Sequence, residues 1–182
     1  DPGVGTDNHP QPMPHSCTFI NQLDAAGNQT NGFVLGAPYM YGMAADPQGN
    51  VYLLAECNDA EMIDMDPGPA THNLNVANSY PMAVAKYDNG LNYLWSRSIT
   101  GNLGNHDVRT IAATDSYVSV SGYNFNELYL SSETDTDTIP MPADGEYFIT
   151  MLKSGSGDLI EYNSFPFLPA SFAEGSTQIA TL

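Results

Sequence analysis

One motif written twice constrains this chain more than any other feature. The sequence opens on DPGVGT at Asp1, and DPGPAT follows at Asp66, 65 residues later. Two further series keep nearly the same spacing. FINQLDAAG from Phe19, AVAKYDNG from Ala83 and FITMLKSGSG from Phe148 are strand-like runs ending in glycine-bearing turns, at offsets of 64 and 65. GMAAD from Gly42, TIAAT from Thr110 and QIATL from Gln178 recur at an offset of 68 both times. Small differences in loop length reconcile the three series. A fixed period means that one supersecondary unit is stacked on copies of itself. The units fall at approximately 1–63, 64–130 and a truncated 131–182.

Each unit reads as four short strands, from period-2 alternation and turn punctuation. In the best-covered unit they are Met43 to Ala45, Val51 to Glu56, Met82 to Tyr87 and Leu91 to Ile99. DPQGN (Asp46 to Asn50) joins the first two as a hairpin, DNG (Asp88 to Gly90) joins the last two, and the long loop between carries the DPG motif. VYLLA and MAVAKY are apolar on both faces, which suits a sheet covered on each side. The fold class expected is therefore all-β, with four-stranded antiparallel blades of a β-propeller. An open array of β-sandwich type is the alternative. About three units of this length are too few to close a ring of at least about 4 blades, so the chain is expected to be part of a longer polypeptide or to be completed by other chains.

The order of MAAD and GNVYL, then DMDPG with THNL, then AVAKYDNG with LWSRSITG, resembles the SBBP-type β-propeller repeat of large secreted bacterial proteins. The match is densest from Tyr41 to Gly101, and the last copy is weakest because SSETDTDTIPM carries no DPG. The resemblance implies secretion or surface display and brings no catalytic residues.

Composition narrows the partners. With 21 acidic and 4 basic residues the net charge is -17. Four cations (Lys86, Arg97, Arg109 and Lys153) cannot neutralise a phosphate backbone or an anionic bilayer, so nucleic acid is not an expected partner. Cationic ligands or divalent metals fit the field. No run of about 18 apolar residues is present, so no membrane insertion by helix is expected.

Several residues invite chemistry. Asp64, Asp66 and nearby carbonyls could ligate Ca²⁺, yet the EF-hand pattern with its bidentate Glu is missing. Turn chemistry explains the motif without an ion: an Asp side chain accepts a backbone N–H, Pro fixes the next φ, and Gly68 supplies φ > 0. ETDTDT at Glu133 to Thr138 is a second acidic cluster in the equivalent loop. Cys17 and Cys57 could form a disulfide between neighbouring units, or stay as separate thiols. His9, His15 and Cys17 lack the paired spacing of a zinc site. His106-Asp107 lacks the surroundings of a hydrolase motif. Trp95 and Tyr93 are expected on one sheet face, packed between units, although such rings also stack on sugars. Asn28-Gln29-Thr30 fits the N-glycosylation pattern.

The function expected is a non-catalytic module of a secreted or cell-surface protein that binds a partner or glycan. Binding is expected at the face of the long loops, Asn58 to Tyr80, Gly101 to Val108 and Ser164 to Ser176, because long loops on a rigid scaffold carry recognition. The alternatives are a subunit of an extracellular filament or sheath, and a fragment of a glycan- or peptide-processing enzyme.

Overall fold

The computed structural model describes residues 18–35, 39–56, 62–75, 81–101 and 106–166. Their regular structure is all β, in fourteen strands. These are β1 (Thr18–Leu23), β2 (Gln29–Leu35), β3 (Tyr39–Ala45), β4 (Val51–Glu56), β5 (Met62–Asp64), β6 (Asn73–Asn75) and β7 (Met82–Tyr87). Then follow β8 (Tyr93–Gly101), β9 (His106–Ala113), β10 (Tyr117–Asn124), β11 (Leu128–Ser131), β12 (Thr136–Ile139), β13 (Glu146–Lys153) and β14 (Leu159–Pro166). Every pairing is antiparallel.

Sheet A is β1-β2, sheet B runs β12-β11-β8-β7-β4-β3, sheet C is β5-β6, and sheet D runs β14-β13-β10-β9. Within sheet B, β3, β4, β7 and β8 form the meander expected from the sequence, and β9, β10, β13 and β14 repeat it in sheet D. The long connection between the middle strands is no open loop in either unit. It carries a hairpin, β5-β6 in one and β11-β12 in the next. The second of these pairs β11 with β8 of the preceding unit and widens sheet B to six strands. Sheets built this way span 39–101 and 106–166, a different phase from units cut at the DPG motif.

The expected strands hold at β4 and β7. β8 begins two residues late because the turn extends through Leu91, whose φ is 62° and whose N–H donates to Asp88 O.

Sheet B is the middle layer. Tyr52, Leu54, Met82, Val84, Trp95 and Ile99 face Val118, Val120, Phe148 and Leu152 of sheet D in one apolar cluster. Leu53, Ala55, Ala83, Ala85 and Tyr87, on the opposite face, meet Phe33 and Leu35 of sheet A, with Met65 and Leu74 of the β5-β6 hairpin. This explains why VYLLA and, apart from Lys86, MAVAKY are apolar on both faces: both faces lose water, and each buried large aliphatic or aromatic side chain contributes roughly 1.5–3 kcal/mol. Among the described residues the stack is open at both ends.

Trp95 and Tyr93 do not share a face. Tyr87 pairs with Tyr93 and Lys86 with Trp95, so Leu94 is an extra residue at a bulge. The bulge sends Trp95 to the sheet D side and Tyr93 to the sheet A side. Alternation across a bulge inverts, which is why period-2 reasoning misplaces them.

Candidate functional site

Three of the tight hairpins share one chemistry. Asp24, Asp46 and Asp88 each accept the N–H of the residues two and four positions on, and the residue four on is Asn28, Asn50 or Asn92. Each of those asparagines also donates its side-chain amide to the same carboxylate. These hydrogen bonds hold the carboxyls of Asp24 and Asp88 below the usual aspartate range. At Asp46 burial pushes the other way, and the donors Asn50, Tyr52 and Gln48 outweigh it, so its pKa too is lowered. Asn28 of the glycosylation pattern is one of these turn residues.

The hairpins lie side by side. Gln22 Nε2 donates to Asn89 O at 2.9 Å, and Asn31 Nδ2 donates to Gly90 O at 2.6 Å. The DPG turn arrives at the same end of the stack. Strand β4 leaves sheet B at the opposite end, but the β5-β6 hairpin folds back along the sheet A side of β7 and β8, anchored by Tyr87 Oη on Met65 O at 2.6 Å. Asp66, Pro67, Gly68 and Pro69 then face Asn31–Phe33 across a cleft of about 400 Å³, floored by Gly90–Tyr93. From loop length, binding is expected at the other end, where the long loops leave the sheets. A long insert that doubles back delivers its tip to the end where the short turns are.

Within the turn, Asp64 Oδ1 accepts the N–H groups of Asp66 (2.9 Å) and His72 (3.2 Å). Asp66 Oδ1 accepts the Gly68 N–H at 2.7 Å. The oxygens expected as calcium ligands thus hold their own backbone, and among the described residues no group of three or more His, Cys, Asp or Glu side chains is placed to hold a metal. Gly68 is not at positive φ, contrary to expectation. What glycine provides there is space: a Cβ would stand 2.9 Å from Asp66 Oδ1. In the equivalent insert Ser132 takes the part of Asp66, its Oγ accepting the N–H of Thr134 at 3.2 Å.

His72 is the residue that sequence reasoning missed. Its Nδ1 lies 2.8 Å from Glu133 Oε1, its Nε2 3.7 Å from Asp66 Oδ2, and its ring stacks on Tyr93 with centroids 4.7 Å apart. It joins the tips of the two inserts above the cleft. No local pattern marks it, because its nearest charged partner, Glu133, lies 61 residues away in the chain. Burial, reinforced by the charges of Glu133, Asp66 and Asp64, pushes the Tyr93 phenol above its usual range despite the hydrogen bond with Ser96.

Two of the four cations, Arg97 and Lys86, are buried, whereas Lys153 and Arg109 are exposed. Arg97, 2% exposed, gathers Asp137 (3.1 Å), Asp158 (3.2 Å) and Asp135 (3.3 Å). Lys86 is buried against Ser154 and Tyr52, and Lys153 sits 3.5 Å from Asp158. The cleft is lined by the Asp66 carboxylate and, among the described residues, by no cation, and Glu133 adds a second negative charge beyond it, against His72.

Cys17, Cys57, His9 and His15 lie outside the described residues. Of His106 and Asp107 only the backbone is described, at the start of β9. Compared with family models, with curated proteins and with solved structures, the chain matches none.

Proposed function

We propose that this chain is a non-catalytic binding module of a secreted or cell-surface protein, built of propeller-type units, and that it holds a neutral or amine-bearing glycan in the cleft beneath the DPG turn. The repeated strand order of sheets B and D supports the propeller-type units, as does the SBBP-like pattern of the sequence. One observation carries the binding reading: three separate chain segments converge to wall a cleft with a carboxylate (Asp66), two amide side chains (Asn31 and Asn92) and the half-buried ring of Tyr93. Carboxylates and amides match sugar hydroxyls, an aromatic ring matches their C–H faces, and ligand sites are clefts with a few placed polar groups. The anionic rim disfavours sulfated or uronic sugars.

A glycan array probed with the whole chain tests this. Neutral or amino-sugar glycans should be retained, and Asp66→Ala and Asn92→Ala should each weaken retention about tenfold, the equivalent of one lost hydrogen bond to a charged or neutral partner. The melting temperature of Asn92→Ala is checked first, because Asn92 also clamps Asp88. Retention of acidic glycans alone, or binding untouched by both substitutions, would contradict the reading.

A second reading, a subunit of a filament or sheath, is favoured by a separate feature. The outermost faces of the stack carry exposed Phe19, Leu23 and Phe165, and apolar faces of that kind mark contact surfaces.

A further inference from the structure

The internal repeat assigns each sheet two faces, one toward the previous sheet and one toward the next. Ile20, Val84 and Ile149 occupy one position of the repeat, at offsets of 64 and 65. Ile20 packs into the cluster between sheets A and B, and Val84 is fully buried between B and D. Ile149 looks onward from sheet D, where no described sheet follows; its neighbours Phe148 and Thr150 point back and are fully buried. The adjacent position gives the converse. Phe148 and Ala83 are fully buried looking back at the preceding sheet, whereas Phe19, their equivalent in sheet A, is 64% exposed. The two open ends of the stack are therefore the two halves of an interface that the chain already makes twice.

We propose that the outer face of sheet D of one copy receives the outer face of sheet A of a second copy, continuing the stack head to tail. This rests on the repeat-unit reading and is independent of the glycan. The sheet D face presents Ile149 and Met151 beside a cross-strand aromatic row in which Tyr147 pairs with Tyr123 on one side and Phe165 on the other, with the charged Glu161 and Lys153 on that face. The sheet A face presents Phe19 paired with Val34, and Leu23 two turns of the pleat away, with no charged side chain among them. Continuity with the A–B and B–D interfaces is the argument for a second copy as occupant. Because the two faces differ, the contact is heterologous: it does not close as a symmetric dimer, and every stack short of a closed ring keeps one free face at each end. Each copy carries -17, so repulsion opposes approach, and salt that shortens the screening length to a few Å should strengthen an apolar contact of this kind.

Sedimentation of the whole chain over a range of concentrations, at low and at high salt, tests the proposal together with two variants. Phe19→Asp blocks the sheet A face alone, and Ile149→Asp blocks the sheet D face alone. The unsubstituted chain should form a concentration-dependent series of oligomers that grows with salt. Each variant alone should be monomeric. An equimolar mixture of the two should give a heterodimer and nothing larger, since one open face remains on each partner, and that heterodimer also shows both variants folded. An unsubstituted chain that stays monomeric in high salt overturns the proposal. So does self-association of either variant, which would mean a symmetric or different surface, or a mixture that fails to pair. If a variant loses its β circular dichroism signal, Leu23→Lys and Met151→Lys block the same faces and must give the same pattern.

Discussion

The Lys86 ammonium donates to both the main-chain carbonyl and the hydroxyl of Ser154, at 2.9 Å each. The two residues belong to different sheets, so a cation from the middle layer ends inside the β13-β14 turn of the next. Tyr52 Oη completes the ring, 2.6 Å from Ser154 Oγ and 3.1 Å from Asp46 Oδ2, and Trp95 Nε1 donates to the same Ser154 carbonyl. A polar network closed on itself inside an apolar interface fixes how two sheets sit on each other.

Lys86→Met should therefore destabilise the fold by about 3 kcal/mol, because it removes one of the two donors to the Ser154 carbonyl and the ammonium that stands 3.9 Å from the Asp46 carboxylate in a dry interface. Urea midpoints at constant m-value measure it. A loss well under about 1 kcal/mol would mean that water replaces the ammonium freely.

Gly157 sits at φ 74°, and a Cβ there would stand 2.8 Å from the Trp95 ring. Gly157→Ala meets both a left-handed backbone and an aromatic wall, and should cost about 2 kcal/mol or more. Gly155→Ala in the same turn, where nothing stands within 4 Å, is the control and should be near neutral.

Acid should weaken the turns. The folded-state pKa values of Asp24, Asp46 and Asp88 are lowered. Their contribution is full above the unfolded aspartate pKa of about 3.9 and is lost as pH falls through the lower folded values. The urea midpoint should hold from neutral pH down to about pH 4 and drop below it. In Asp46→Asn the midpoint should be lower at neutral pH and fall less in acid. An unchanged acid loss in that variant would exclude Asp46 as a source.

The turn account of the DPG motif separates from a calcium account at Asp64. An amide oxygen can still accept the Asp66 and His72 N–H groups, so Asp64→Asn should be nearly neutral, whereas Asp64→Ala should cost about 1–2 kcal/mol. Added Ca²⁺ should not move the melting temperature of the parent chain. A rise that Asp64→Asn abolishes would put an ion in the loop.

Much of this was legible in residues that obey a simple period. β4 and β7 could be read to their ends because both faces are apolar and Asp-led turns bound them. The Asp–Asn spacing of four at Asp24, Asp46 and Asp88 was in plain view and would have disclosed the shared turn chemistry. The inserts were not legible, since β5 and β6 are three residues each, too short for alternation to register. Leu94 inverted the faces of Tyr93 and Trp95, as an extra residue in one strand must. The cleft is a tertiary product: Asn31, Asp66 and Asn92 come together only because the hairpin doubles back.

Chemical-shift mapping of the whole chain with a glycan retained on the array tests the central claim most directly. The account predicts perturbations concentrated at Asn31–Phe33, Asp66–Gly68 and Gly90–Tyr93. Perturbations concentrated instead at Glu56, Met82 and Gly101, at the far end of sheet B, would contradict it and return binding to the end of the long loops.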